Sequence, residues 1–224
     1  VDDHAYSFLV CVNNPVPVSD PQSLGLPPDA EMASTIRLST ARRPGDTPLA
    51  RIFAPRSGQR GNRKAPPPFW IQDGPGGRPW CSVHPAAPDI HEVHAVDATP
   101  LATITRHAGR LSPWPRRVRW SARFAHTPQP VTGKEGTWYA WFTYVVTAPF
   151  WFLFALCTTV YAYFDGTTDD YTFKRPLRTR WRGRGTGTVL DYRGVSNVYR
   201  FDPRHLDARV AYALAVLQTW EDKG

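Results

Sequence analysis

The stretch "DPRHLDARVAYALAVLQTW", residues 202–220, decides how the rest of the chain is read. Asp202 or Asp207 can cap a helix, Pro203 suits a first helical turn, and alanine-rich sequence follows, which predicts a helix over 203–220. Leu206, Val210, Leu214 and Leu217 line one face. Ala208, Ala211, Ala213, Ala215 and Val216 fill much of the remainder, leaving Arg209 as the lone charge between 208 and 217. A helix that is apolar nearly all round has no side to offer to water, so the chain must enclose it.

The segments upstream predict what encloses it. "AYSFLVCV" (5–12), "STIRLST" (34–40) and "PLARIFA" (48–54) read as strands, the second and third joined by the turn "RRPGDTP". The densest signal follows: "FWIQ", the turn "DGPGG", "RPWCSVH", "IHEVHAV", the turn "DATP" and "LATITRH". "RRVRWSARF" (116–124) alternates so that Val118, Trp120 and Ala122 share one face, with Arg117, Arg119, Ser121 and Arg123 on the other. "TPLARI" (47–52) and "TPLATI" (99–104) form a weak internal echo, as similar hairpins would. "GTVLDYRG" and "NVYRF" read as a final strand pair. Many strands and one enclosed terminal helix predict a mainly β fold with some α: a single-domain antiparallel β-barrel around a hydrophobic C-terminal helix. Residues 13–30, with five prolines, read as a Pro-rich loop.

Composition bounds the rest. The hydrophobic fraction of 42% is enough for a core, and 21% charge is too low for a disordered chain. Three separated cysteines, Cys11, Cys81 and Cys157, give no CxxC spacing and point to a reducing compartment. The opening "VDDHAYSFLVCV" carries acids where a secretion signal wants bases. A net charge of +8 favours phosphate-bearing partners, although 23 arginines against 4 lysines also suggest a compositional bias.

"HEVHAVDATPLATITR", "RRVRWSAR" and "VLDYRG…VYRFDPRHLDARVAYALAVL" resemble the LURP-one-related and phospholipid-scramblase group. The resemblance covers residues 69–124 and 187–218. It implies the tubby C-terminal-like fold, a closed antiparallel barrel around a hydrophobic helix, in a lipid- or membrane-associated bacterial protein. It transfers no catalytic residue and no calcium site. The Pro-rich stretch and the aromatic run at 137–164 depart from the family pattern.

That run, "TWYAWFTYVVTAPFWFLFALCTTVYAYF", has no charged residue in 28 positions. As one helix it would be roughly 42 Å long, with aromatics on every side. A domain that already encloses one apolar helix can hardly wrap a second, whereas lipid meets the demand. Trp138, Trp141, Phe142, Phe150, Trp151, Phe152, Phe154 and Tyr161 are the expected membrane-inserting residues, with tryptophan and tyrosine placed as interfacial belts. A single crossing would put parts of one barrel on opposite sides of the membrane. Pro149 allows two short helices, roughly 138–147 and 150–163, wedged into one leaflet. Lys174, Arg175, Arg178, Arg180, Arg182 and Arg184 follow and are the expected headgroup-binding residues at an anionic, cytoplasmic membrane face. The last four share one face if they lie on a strand.

The expected function is non-enzymatic: membrane-associated lipid binding, or scaffolding of an unidentified protein partner, with no cofactor. The alternative is a soluble ligand-binding barrel in which the aromatic run is core. A metal-dependent hydrolase is third, because "HPAAPDIHEVHAVD" gathers His84, Asp89, His91, Glu92, His94 and Asp97. "HEVH" lacks the HExxH spacing, and on a strand His91 and His94 point to opposite faces, so the expected metal set is none. Nucleic acid is not the expected partner, since aromatic stacking positions beside the arginine stripe are few.

Overall fold

The computed structural model describes residues 6–40, 46–56, 66–108, 118–127, 129–136, 178–194 and 196–223, with Val146 in addition. Among these, twelve strands occur in chain order. They are β1 (Tyr6–Pro17), β2 (Ala30–Leu38), β3 (Ala50–Pro55), β4 (Phe69–Asp73), β5 (Pro79–Ala87), β6 (Ile90–Ala95), β7 (Pro100–His107), β8 (Arg119–Phe124), β9 (Val131–Glu135), β10 (Arg178–Gly183), β11 (Gly187–Arg193) and β12 (Val198–Phe201). Each pairs antiparallel with its sequence neighbour, and β1 pairs with β12, closing a barrel. Closure removes every unpaired edge. One helix, α1 (Ala208–Lys223), follows the strands.

The helix lies where its sequence requires. Val210, Ala211, Ala213, Leu214, Ala215 and Val216 are wholly buried and share a single core with residues of the strands. Its neighbours come from all round the wall. Near its start, the Tyr212 ring packs edge-on against Phe8 of β1, Trp80 of β5 and Phe201 of β12. Near its end, Gln218 Nε2 donates to Thr179 Oγ1 of β10 at 2.8 Å, and Trp220 Nε1 to Ser34 Oγ of β2 at 3.0 Å. The Tyr199 hydroxyl of β12 reaches the Ala215 carbonyl at 3.2 Å, and Arg106 of β7 pairs with Glu221. An axial helix replaces the water that an open barrel of this size would admit. Each fully buried Leu or Val contributes about 1.5–3 kcal/mol.

The helix begins at Ala208, not at 203 as the sequence suggested. Asp207 is the cap: its Oδ1 accepts Arg209 N at 2.9 Å and its carbonyl accepts Ala211 N at 2.9 Å. Asp202 instead closes a separate turn, accepting Arg204 N at 2.9 Å. A second difference concerns 13–30. β1 runs on through Pro15 to Pro17, with its register to β2 shifting between Val12 and Val16, an irregularity that accommodates residues without a backbone donor. From Val18 the chain folds against the outside of the barrel. There Leu26 buries itself with Ala30 and Phe53, and Gln72 Nε2 donates to the Leu24 carbonyl at 3.2 Å.

β9 was not foreseen. Its inward residues are Val131 and Gly133, and Gly133 stands directly opposite Trp181 of β10, whose indole fills the space a side chain would need. Apart from Val146, the inserted segment at 137–164, with all eight expected membrane-inserting residues, lies outside the described residues. Its flanks are described: Gly136 N donates to the Arg178 carbonyl at 2.9 Å, and Glu135 pairs with Thr179. The described residues on either side of 137–177, Gly136 and Arg178, therefore meet at one point on one rim.

Candidate functional site

Strands β8 to β12 stand side by side, and alternation fixes which of their residues face out. Trp120, Ala122, Val131, Gly133, Thr179, Trp181, Leu190, Tyr192, Tyr199 and Phe201 are buried. The residues between them point to the exterior. Registers then align a row of charges across the wall: Arg200 opposite Asp191, Asp191 opposite Arg180, Arg180 opposite Lys134, and Lys134 opposite Arg119. Arg178 opposite Arg193 lies beside this row, while Arg182 and Arg123 extend the face along β10 and β8. The outward positions of these five strands hold eight bases and one acid, Asp191.

Asp191 organises part of that charge. Arg178 Nε and Nη2 donate to its two oxygens at 2.9 and 2.7 Å, and the guanidiniums of Arg180 and Arg193 approach to 3.6 Å. Burial pushes the Asp191 carboxyl up, but the hydrogen bonds and charges of Arg178, Arg180 and Arg193 outweigh it and hold the group below the usual carboxylate range. One carboxylate thus serves three guanidiniums. Among the described residues Arg119, Arg123, Lys134, Arg182 and Arg200 find no ion-pair partner, and all five are exposed. The face is a concentrated positive surface, richest toward the rim where β8 starts, β9 ends, β10 starts and β11 ends. That is the rim from which the connection 137–177 departs.

Of the expected headgroup residues, Arg178, Arg180 and Arg182 lie together on this face. Arg184 does not: β10 ends at Gly183, and Arg184 sits in the β10–β11 turn at the opposite end of the barrel, where α1 begins. Lys174 and Arg175 lie outside the described residues. The sequence puts Arg119 and Arg123 on a wet strand face but does not join them to the β10 stripe. Lys134, Arg193 and Arg200 were missed. The two arginine stripes, "RRVRWSAR" and "RTRWRG", were the available signal.

The histidine-rich hairpin divides as expected. His91 points inward and is 3% exposed, its ring nitrogens without a hydrogen-bond partner among the described residues, and burial pushes its pKa down. His94 points outward, with Nε2 3.2 Å from Glu92 and Nδ1 3.4 Å from the Ala98 carbonyl. His84 and His94 stand edge to face at 5.8 Å. Burial, followed by the charge of His94, lowers the His84 pKa. Among the described residues, no group of three or more His, Cys, Asp or Glu side chains is placed to hold a metal ion. Nor is any helix among them long and apolar enough to cross a membrane.

Comparison of the chain with protein-family models, with curated proteins and with solved structures finds no match.

Proposed function

We propose that this protein is a non-catalytic, membrane-associated barrel that binds anionic lipid headgroups through the outer face of β8–β12. The observation that carries the reading is five exposed bases without an ion-pair partner among the described residues, Arg119, Arg123, Lys134, Arg182 and Arg200, on the outer face of β8, β9, β10 and β12, where the strands present a single acid, Asp191. A basic residue near an anionic bilayer surface contributes about 1 kcal/mol. The face needs no preformed pocket for such a partner.

The connection 137–177 supports the same partner. It carries the charge-free aromatic run and is tethered at both ends to the strand pair at the centre of the basic face. An apolar excursion fixed to one rim at both ends must enter and leave a bilayer on the same side. That favours a one-sided anchor over a single crossing and removes the topological conflict a crossing would create. The bases would then meet the phosphates of the leaflet the anchor enters, the anionic cytoplasmic one. Nucleic acid is the weaker candidate: none of the outward residues of β8–β12 is aromatic, so bases would find no stacking platform.

Sedimentation with lipid vesicles tests the reading. Vesicles containing phosphatidylserine should retain the protein at about 0.1 M salt and release much of it at about 1 M, as the Debye length falls from about 10 to about 3 Å. The variant Arg119→Gln/Lys134→Gln/Arg200→Gln should lose about 3 kcal/mol of attachment, roughly a hundredfold in partitioning. Equal retention on neutral phosphatidylcholine vesicles, or an unaltered triple variant, would sink the proposal.

A further inference from the structure

We propose a second site: the cleft where α1 enters the barrel binds a water-soluble phosphomonoester that carries a short alkyl arm. The cleft has a volume of about 410 Å³, within the range of small-molecule sites. It is lined by His126, Thr127 and Gln129 between β8 and β9, by Arg184 and Thr186 of the β10–β11 turn, and by the segment leading into α1. Its floor is apolar: Leu101 of β7, Phe124 of β8, Val131 of β9, and Leu206 with Val210 at the start of the helix. Leu101 and Phe124 are only half-buried although they adjoin the core.

The lining is cationic, and both its acid, Asp207, and the neighbouring Asp202 are already engaged. Asp207 is held by Arg209, with Nη2 to Oδ2 at 2.7 Å and Nε to Oδ1 at 3.1 Å. Asp202 accepts Arg204 N at 2.9 Å through Oδ1 and lies 3.1 Å from His205 Nδ1 through Oδ2. Arg184 and Arg204 are left exposed, without an ion-pair partner among the described residues, with His126 and His205 on the same lining. Two free guanidiniums offer forked donors to one anion. A dianionic phosphate matches both, whereas a carboxylate would leave one uncompensated. The alkyl arm follows from the floor, which a bare phosphate would leave wet. A soluble ester is favoured over a bilayer lipid because the cleft is at the end of the barrel opposite the rim that bears the aromatic connection.

Titration calorimetry on the full chain with octyl phosphate below its micelle-forming concentration tests this directly. Octyl phosphate should bind at least about tenfold more tightly than inorganic phosphate, because the alkyl chain removes apolar floor from water. Both Arg184 and Arg204 are exposed, so Arg184→Gln/Arg204→Gln should fold normally by circular dichroism and lose about tenfold or more in affinity. Binding should be unaltered in the outer-face triple variant and should not be displaced by phosphatidic acid vesicles. Inorganic phosphate binding as tightly as the ester, an unaltered Arg184/Arg204 variant, or displacement by the vesicles would each overturn the assignment. The outer-face variant separates the two sites, so failure of vesicle attachment leaves this test intact.

Discussion

Replacing Asp191 with asparagine should move two properties in opposite directions. The Asp191 side chain is 12% exposed, and two charge-assisted hydrogen bonds from Arg178 and two further guanidiniums at 3.6 Å converge on it. Asparagine keeps one acceptor oxygen but gives up the charge, leaving Arg178, Arg180 and Arg193 to repel one another. A charge-assisted hydrogen bond is worth about 1.5–3 kcal/mol, and the Arg178 side chain is 36% exposed, so the expected loss is about 2 kcal/mol. Urea denaturation should show the midpoint falling by roughly 1 M with an unchanged slope. The same substitution adds one net positive charge to the outer face, so attachment to anionic vesicles should rise by about 1 kcal/mol, roughly fivefold. The stability difference has a definite pH dependence. The folded carboxyl is held below its unfolded value of about 3.9. Its contribution is therefore complete above that value and is lost as pH falls through the folded pKa. Asparagine should cost the same at pH 6 and pH 8, and less as the solution is acidified below about pH 4. A variant as stable as the parent would refute the role given to Asp191 in the fold. Weaker attachment to vesicles would refute the electrostatic account of the face.

Leu214→Ala should cost about 3–5 kcal/mol in urea denaturation, because Leu214 is wholly buried on the barrel axis and a closed wall cannot collapse into the gap. A loss below about 1 kcal/mol would mean that the helix is not enclosed. Gly133→Ala should destabilise by about 1–3 kcal/mol by forcing the Trp181 indole aside, and no loss would contradict the packing of β9 against β10. Thr179→Val removes the acceptor of Gln218 Nε2 while Gln218 Oε1 already has no partner among the described residues, so about 1–3 kcal/mol should be lost. An unchanged midpoint would show that Gln218 reaches water.

The barrel was legible because most of its strands carry their own alternation. "RRVRWSARF" gave both the inward Trp120 and Ala122 and the outward arginines, and the all-apolar helix required a wall around it. β9 stayed hidden because its core contribution is partly a missing side chain: Gly133 is silent in any hydrophobic pattern, yet it makes room for Trp181. That omission also hid the site. With β9 unseen, nothing placed the β8 arginines two strands from the β10 arginines, and Lys134 between them had no context. The start of α1 was misplaced because Asp202 and Asp207 are equally good caps locally. What separates them is Leu206, which is buried in a turn ahead of the helix and not within it.

The hydrogen-bonded junction between Gly136 and Arg178 has an implication for how such a protein can change. Because the ladder is complete on either side of it, a hairpin turn of a few residues could bridge β9 and β10 as well as a long detour does. The barrel is then a chassis with a docking port, and whatever is plugged in there can be lengthened, shortened or exchanged without renegotiating the core. One scaffold could in this way be sent to different addresses by swapping a single cassette.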